Sequence, residues 1–416
     1  MRRSDSFCET ENRKNLELYL HIPFCVRKCS YCDFLSMAAD ENIRRQYVDM
    51  LLAELREKGR FCREYRVSTV FFGGGTPSLL AGVQIAELME EVGNCFCLDS
   101  DAEITLECNP GTLDRQKLLF CKNAGINRLS MGLQSADNRE LELLGRIHTF
   151  EQFLENYALA RNMGFENINL DLISGLPMQT VKDWKNTLER VLILRPEHIS
   201  AYSLIVEEGT PFFERYGEDE LRRERGEHPR MLPEEETERE MYELTRSLLE
   251  EKGYRRYEIS NYARPGRECR HNTGYWQRIP YLGLGLGSAS LLEERRFSNP
   301  VNLEIYLNGE YTDLSRILAE NPGSPPEKQQ DLPEEVIVLG KKQQMEEFMF
   351  LGLRMTEGIS RTRFRQQFGL EPEGVYGEEL QNFQRQGLLE QKEGRIFLTE
   401  AGIAVSNYVL SGFLLE

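Results

Sequence analysis

Apolar positions along this chain recur in two rhythms that take turns. Short aliphatic runs read as strands, and longer stretches with apolar residues three or four apart read as amphipathic helices. Leu16–Phe24 predicts a first strand, and Asn42–Lys58 a helix through Tyr47, Met50, Leu51 and Leu55. The alternation continues with strands at Val67–Phe72, Glu103–Cys108, Arg128–Leu133, Ile168–Ile173 and Ile199–Val206. Between them fall helices at Val83–Val92, Leu113–Lys122, Asn138–Leu144, Phe150–Met163 and Val181–Leu194. Six strands separated by helices predict an α/β fold with a parallel sheet closed or partly closed into a (β/α)6 TIM-like barrel, over residues 16–213. In such folds ligands gather at the carboxyl ends of the strands.

Outside the barrel the texture changes. Residues 1–15 form a polar tail without an apolar h-region, against a secretory signal. Residues 214–320 open on a charged run, Glu214–Glu240, read as a solvated surface excursion. A helix at Met241–Lys252 and a strand at Tyr254–Tyr262 follow, as an α+β extension. Asn321-Pro-Gly-Ser-Pro-Pro326 marks a linker over 321–345. Over 346–416, helices at Glu346–Arg354, Arg361–Phe368 and Gly377–Gln386, a strand at Gly394–Thr399 and a closing helix from Ala401 suggest a winged-helix-like domain. That shape often binds DNA, but fold is not function, and its acidic content favours an interaction or lid role.

Composition narrows the classes. At 416 residues, two or three domains are expected. A net charge of −17 argues against a nucleic-acid or anionic-membrane partner. No run reaches the ~20 apolar residues of a transmembrane span. The cysteines outside one cluster, among them Cys62, Cys95, Cys97, Cys108, Cys121 and Cys269, are scattered; they read as reduced and packed, in a cytoplasmic protein.

That cluster is Cys25, Cys29 and Cys32, a C-x3-C-x2-C triplet directly after the first strand. Three thiolates can hold three irons of a cubane cluster and leave the fourth open. A structural zinc site wants four ligands; His21 is the nearest candidate for the fourth. Three further words end predicted strands or lie beyond them. Phe72-Gly-Gly-Gly-Thr-Pro77 lets backbone approach a ligand, or is simply a tight turn. Glu107 in Glu107-Cys-Asn109-Pro110 suits a ribose diol, or belongs to a helix N-cap region. Arg270-His-Asn-Thr-Gly-Tyr-Trp276 offers an imidazole and flat aromatic surface, or packs the barrel against its extension.

Taken together and in this order, these words resemble the radical S-adenosylmethionine (SAM) superfamily. Ile22-Pro-Phe-Cys and Cys32-Asp-Phe resemble one branch of it, which holds the oxygen-independent coproporphyrinogen III oxidases and the HemW haem chaperones. The resemblance implies a 4Fe-4S cluster on Cys25, Cys29 and Cys32, with SAM on the open iron. It implies that Gly74, Gly75 and Thr76 meet the SAM amino group and that Glu107, Gln134, Arg146, Asp171, Tyr19 and Tyr31 also contact SAM. Ile205 adds apolar contact. Within the branch, His271, Asn272, Tyr275 and Trp276 resemble the HemW haem-binding motif. The oxidases have a further cysteine where this chain has Phe34, and a longer N-terminal segment; here about fifteen polar residues precede the first strand. Ser288-Ala-Ser290 departs from a histidine found in many relatives. The expectation is a haem chaperone that binds cluster, SAM and haem and passes haem to an unidentified acceptor protein, with homodimerisation when the cluster is present. The alternative is a coproporphyrinogen III dehydrogenase.

Overall fold

The structure, a computed structural model, describes residues 13–318 and 336–415. Most of the polar tail and the linker as far as residue 335 lie outside these ranges. The barrel runs β1 (Lys14–Ile22), α1 (Glu41–Gly59), β2 (Tyr65–Gly74), α2 (Gly82–Cys95), β3 (Cys97–Cys108) and α3 (Arg115–Asn123). It continues through β4 (Arg128–Gln134), α4 (Asn138–Leu143), α5 (Phe150–Asn162), β5 (Ile168–Ser174), α6 (Val181–Leu194) and β6 (His198–Ser203). Strands β1 to β6 pair in sequence order, all parallel. Helix starts follow their caps: Asp40 and Asp114 accept from the third helical N–H of α1 and α3, and Thr149 and Thr180 close capping boxes on α5 and α6.

Strand periodicity sorts the side chains into two populations. Leu18, Leu20, Val70, Phe72, Ile104, Leu106, Leu129, Met131, Leu170 and Ile199 form the core beneath the helices. The alternate positions, including Tyr19, Phe71, Glu107, Arg128, Ser130, Asn169, Asp171 and Ser200, line the barrel interior. Every residue of β4 is buried, as expected for a parallel strand covered on both faces. An apolar outside and a polar inside give this barrel an interior suited to a ligand.

After the barrel come α7 (Pro211–Glu224) and α8 (Glu235–Glu251). The run Glu214–Glu240, read as a solvated excursion, is exposed along most of its length, but it is largely helical and anchored. Phe212, Tyr216 and Leu232 pack with Leu144, Ile173 and Leu176, and the Asp219 carboxylate accepts from the N–H groups of Arg230, Met231 and Leu232. A few well-spaced apolar anchors suffice where charges occupy the other faces. The strand expected at Tyr254–Tyr262 is instead a hairpin of β7 (Arg255–Arg256) and β8 (Asn261–Ala263), antiparallel to each other. The Glu258 carboxylate accepts from Ser260 N–H and Asn261 Nδ2 and turns the chain. The extension adds α9 (Arg270–Trp276), β9 (Tyr281–Leu284), β10 (Ala289–Leu292), β11 (Arg295–Ser298), α10 (Leu303–Leu307) and α11 (Leu314–Leu318). With β12 (Ile337–Val338) the sheet of described strands has the order β12-β11-β10-β9-β1-β2-β3-β4-β5-β6-β8-β7. Other strands thus flank β1 and β6, and the barrel is partial.

The C-terminal domain is α12 (Lys341–Gly352), β13 (Ile359–Ser360), α13 (Arg361–Phe368), α14 (Pro372–Arg385), β14 (Leu389–Lys392), β15 (Arg395–Leu398), α15 (Glu400–Ala404) and α16 (Ser406–Ser411). Its sheet order is β13-β15-β14, and Met349, Phe364, Tyr376, Ile396 and Phe413 form its core, a winged-helix-like arrangement. Helix α12 starts inside the stretch read as linker. Cys97 is disulfide-bonded, which corrects the reading of reduced cysteines at that position: pairing is decided by local geometry, not by dilution in a long chain. Cys62, Cys108, Cys121 and Cys269 are free and buried as expected.

Candidate functional site

The cysteine triplet sits on the loop between β1 and α1, and that loop is tied down from several sides. Cys25 N–H donates to Met37 O, Ser30 N–H to Leu144 O, and Phe212 N–H to Ser30 O. Arg27 Nη2 reaches Gly145 O at 2.7 Å. The glycines after β2 make room for the loop. A Cβ on Gly75 would stand 2.8–3.0 Å from the Phe24 backbone, and one on Gly74, at φ +110°, would meet the His21 ring. His21 itself bonds Tyr19 OH at 3.1 Å and Leu35 O at 3.0 Å, so it packs at the loop's base and supplies no fourth metal ligand.

All three thiols line one cavity of about 390 Å³ at the carboxyl end of the strands. Around the same cavity stand Tyr31, Gly74, Gly75, Thr76, Glu107, Gln134, Arg146, Asp171 and Ile205. Residues from the ends of six strands and the loops after them thus converge on one space, and of the residues assigned to SAM only Tyr19 lies elsewhere. Among the described residues no three His, Cys, Asp or Glu side chains meet at a point where a single ion would sit. A cubane asks for something else: each thiolate bonds its own iron, so the thiols must line a face and need not converge. The donor set fits a cluster of that kind and fits a lone zinc poorly.

A hydrogen-bonded chain ties the thiols to the strand ends. Arg146 Nη2 donates to Asn109 Oδ1 and to Gly132 O, both at 2.6 Å, while Nη1 lies 3.6 Å from Cys29 Sγ. Asn109 Nδ2 donates to Thr76 Oγ1 at 2.7 Å, and that hydroxyl is 3.5 Å from Cys25 Sγ. Asn109 was visible in the sequence only as a capping residue; its place in this relay emerges from the fold. Gln134 ends β4 with φ 72°, a left-handed conformation unusual for a side-chain-bearing residue, beside a register shift in the β4–β5 pairing. Glu107 opens its remaining accessible edge into the cavity and accepts from Gly74 N–H at 3.2 Å. Burial, and then repulsion from Asp171, pushes its carboxyl up to about 8. Burial also raises Asp171, which accepts from Ser130 Oγ and Asn169 Nδ2.

Beneath this space lies a second cavity of about 220 Å³ in the barrel interior, sharing Glu107, Ser130, Asp171 and Tyr202 with the first. Tyr19 lines it, from the middle of β1 and not from a strand end. Arg128, missed by the sequence reading, lines it too.

The HNxxYW residues fall on α9, and the fold does not keep them together. His271, Asn272 and Tyr275 line the inner cavity, whereas Trp276 lines a crevice with Phe348, Met355 and Arg363 of the C-terminal domain. The Glu103 carboxylate accepts from Arg270 and His271 N–H at the start of the helix. The His271 ring is 1 % exposed, with Nδ1 2.7 Å from Thr69 Oγ1 and Nε2 3.0 Å from Tyr275 OH. It stacks on Phe71, and burial pushes it down to about 3, a neutral imidazole. With both nitrogens engaged, this is the geometry of a buried His–aromatic cluster; iron ligation by His271 requires one of those bonds to break.

The sequence matches the radical SAM superfamily over residues 19–191 and the HemN C-terminal domain over residues 339–405. Among solved structures, it is similar to the coproporphyrinogen III oxidase HemN from Escherichia coli, a radical SAM enzyme, at TM-score 0.78 and 24% identity. That likeness covers 98% of this chain and 92% of the other, and establishes the shared fold. The heme chaperone HemW of Lactococcus lactis is 35% identical over 96% of this chain and 97% of its own length. The heme chaperone HemW of Bacillus subtilis is 35% identical over 96% of this chain and 99% of its own length. Likeness of this depth, running through barrel, extension and C-terminal domain alike, means that the chain belongs to the HemW heme chaperone family of the radical SAM superfamily.

Proposed function

We propose that this chain is a haem chaperone: it holds a 4Fe-4S cluster on Cys25, Cys29 and Cys32, binds SAM beside it, and takes up haem for transfer to an acceptor protein in the cytoplasm. The observation that carries the reading is the gathering of three thiols and the SAM-assigned residues around one cavity in a chain of this family. Bound SAM supplies, on one-electron reduction, a 5′-deoxyadenosyl radical; the chain's residues bind, orient and shield. Arg146, already aimed at Cys29, suits a carboxylate. Glu107 and Asp171 offer acceptors to a ribose diol. The N–H groups of Gly74, Gly75 and Thr76 are committed to Glu107, Ile22 O and Phe24 O, so this turn would meet an ammonium through carbonyl oxygen.

Haem would be met by His271, Asn272, Tyr275 and Trp276 after rearrangement, since the motif is split between the inner cavity and the crevice of Trp276 in this conformation. The same anaerobically reconstituted sample should bind hemin with a Soret band and leave coproporphyrinogen III unchanged. Conversion to protoporphyrinogen would favour the dehydrogenase, a reading that the HemN-like fold keeps in play. Cys29→Ala should abolish iron loading; unchanged iron content would remove the cluster from the account.

A further inference from the structure

Arg128 is a buried charge that no contact among the described residues explains. It lies on β4 with its side chain in the barrel interior, and is 2 % exposed. Its Nε has no hydrogen-bond partner, and among the described residues the guanidinium makes no hydrogen bond or ion pair. A guanidinium cannot shed its proton to escape burial. A buried charge without direct contacts is costly, so such groups are normally paired. The acidic groups near it are spoken for. Glu103 accepts from the start of α9 and from Cys269, and Asp171 from Ser130 and Asn169. Glu107 holds its proton to about pH 8. The Glu103 and Asp171 carboxyls act on Arg128 at a distance, and no hydrogen bond or ion pair joins either of them to it.

Arg128 faces the inner cavity, one wall of which is the rings of Tyr19, Phe71, His271 and Tyr275, while Glu107, Asp171 and uncharged polar side chains make up the rest. An aromatic wall with one deep cation that no carboxylate contacts is a site for an aromatic molecule that carries an anionic arm. Three residues of the HNxxYW helix line this same space. Its volume, about 220 Å³, admits a carboxylate arm and one edge of a large planar ligand, and not the whole ring. We propose that Arg128 is the anchor for a propionate carboxylate of the tetrapyrrole cargo, drawn into the barrel interior along the Tyr19–Phe71–Tyr275 wall. The inference rests on the haem-chaperone reading and deepens it. It assigns the grip on the cargo to an arm of the ring, so that it does not depend on the iron.

The test compares hemin, metal-free protoporphyrin IX and its dimethyl ester, each titrated against the full, cluster-loaded chain. A charge-assisted pair of this kind is worth about ten- to hundredfold in affinity. The free acid should bind at least about tenfold tighter than the ester, with or without iron. Arg128→Gln should weaken the free acid by a similar factor and erase the difference, and Arg128→Lys should recover part of it. Ester and free acid binding equally well to the unaltered chain overturns the proposal, even if the variants fail to fold. So does Arg128→Gln that keeps the preference for the free acid. If the unaltered chain binds no hemin at all, the haem-chaperone reading fails; if it binds hemin without regard to the propionates, only the role of Arg128 does.

Discussion

Glu107 concentrates the electrostatics of the site in one carboxyl. Burial and the neighbouring Asp171 raise it from 4.5 to about 8, while Gly74 N–H and Arg128 pull the other way. In the unfolded chain the same group ionises near 4.5, so between these values the folded state holds a proton that the unfolded state has released. Stability is therefore largest below about pH 4.5 for this group, declines as pH rises through the window, and levels off above about 8. Glu107→Gln removes that dependence. In ligand-free protein its Tm relative to the unaltered chain should climb steadily from pH 5 to pH 8.5 in thermal scans; a gap constant across that range would contradict the assignment. The thiols, Glu107 and Arg146 were legible because each sits in a distinctive word of sequence. Arg128 and Asn109 were not. Arg128 opens an aliphatic run and looks like a strand-end surface charge, and only its place on the inner cavity shows that it faces inward. Tyr19 was placed with the SAM contacts by motif, yet its position within β1 puts it on the inner cavity.

Among the elements, the turn after β2 and the α1–β9 contact show how the site is held. Gly75→Ala would drive a methyl against backbone atoms of Phe24, which cannot swing aside as a side chain can. The expected cost is about 1–3 kcal/mol of stability, with faster loss of reconstituted iron as the cysteine loop is displaced. Retained iron at unchanged Tm would show that the loop is looser than its hydrogen bonds imply. Behind the same strand, Glu54 and Lys58 on α1 form a fully buried ion pair at 2.6 Å. Glu54 also accepts from Gly285 N–H, Tyr306 OH and Asn299 Nδ2, and Lys58 donates to Asn299 Oδ1. Lys58→Met leaves that carboxylate unpaired and should cost about 3–5 kcal/mol in denaturant unfolding, with Glu54→Gln/Lys58→Met recovering much of it. A double variant no better than the single would place the cost in packing. The barrel strands were legible through their period; the β9–β11 extension was not, because Gly283, Gly285 and Gly287 dilute any alternation. At Gly283 and Gly285 those glycines are required by close approach: a Cβ there would meet the Ala289 and His21 carbonyl oxygens.

Across the whole molecule, the C-terminal domain is joined to the extension by polar contacts around the HNxxYW helix and by an apolar cluster of Met355 with Tyr257, Ala263 and Cys269. Glu347 on α12 is 5 % exposed and binds Arg278 at 2.9 Å and Arg296 at 3.0 Å. Arg256 holds Glu400 through two bonds of 2.7 Å, and Thr356 N–H reaches Tyr257 O. Between these clamps, Arg354 lies 4.5 Å over the Trp276 ring. The sequence showed a separate C-terminal domain of helices and a wing, but nothing in it said that this domain would close over the one motif residue that faces away from the barrel. Glu347→Leu removes the shared carboxylate and leaves Arg296 unpaired, while Arg278 keeps Glu294 at 2.7 Å. Because the partner left behind is partly exposed, the loss should sit at or below the roughly 3 kcal/mol end of the range for broken buried pairs. It should fall on the contact between domains and spare both cores, so calorimetry should resolve an earlier, smaller transition ahead of the barrel's. The chain has two tryptophans, and Trp184 is buried in the barrel core, so a Trp184→Phe background isolates Trp276. In that background Glu347→Leu should shift Trp276 emission to the red before the main transition. A single transition with unshifted emission would mean that Arg256, Glu400 and the Glu258–Met355 bridge hold the domains together without Glu347.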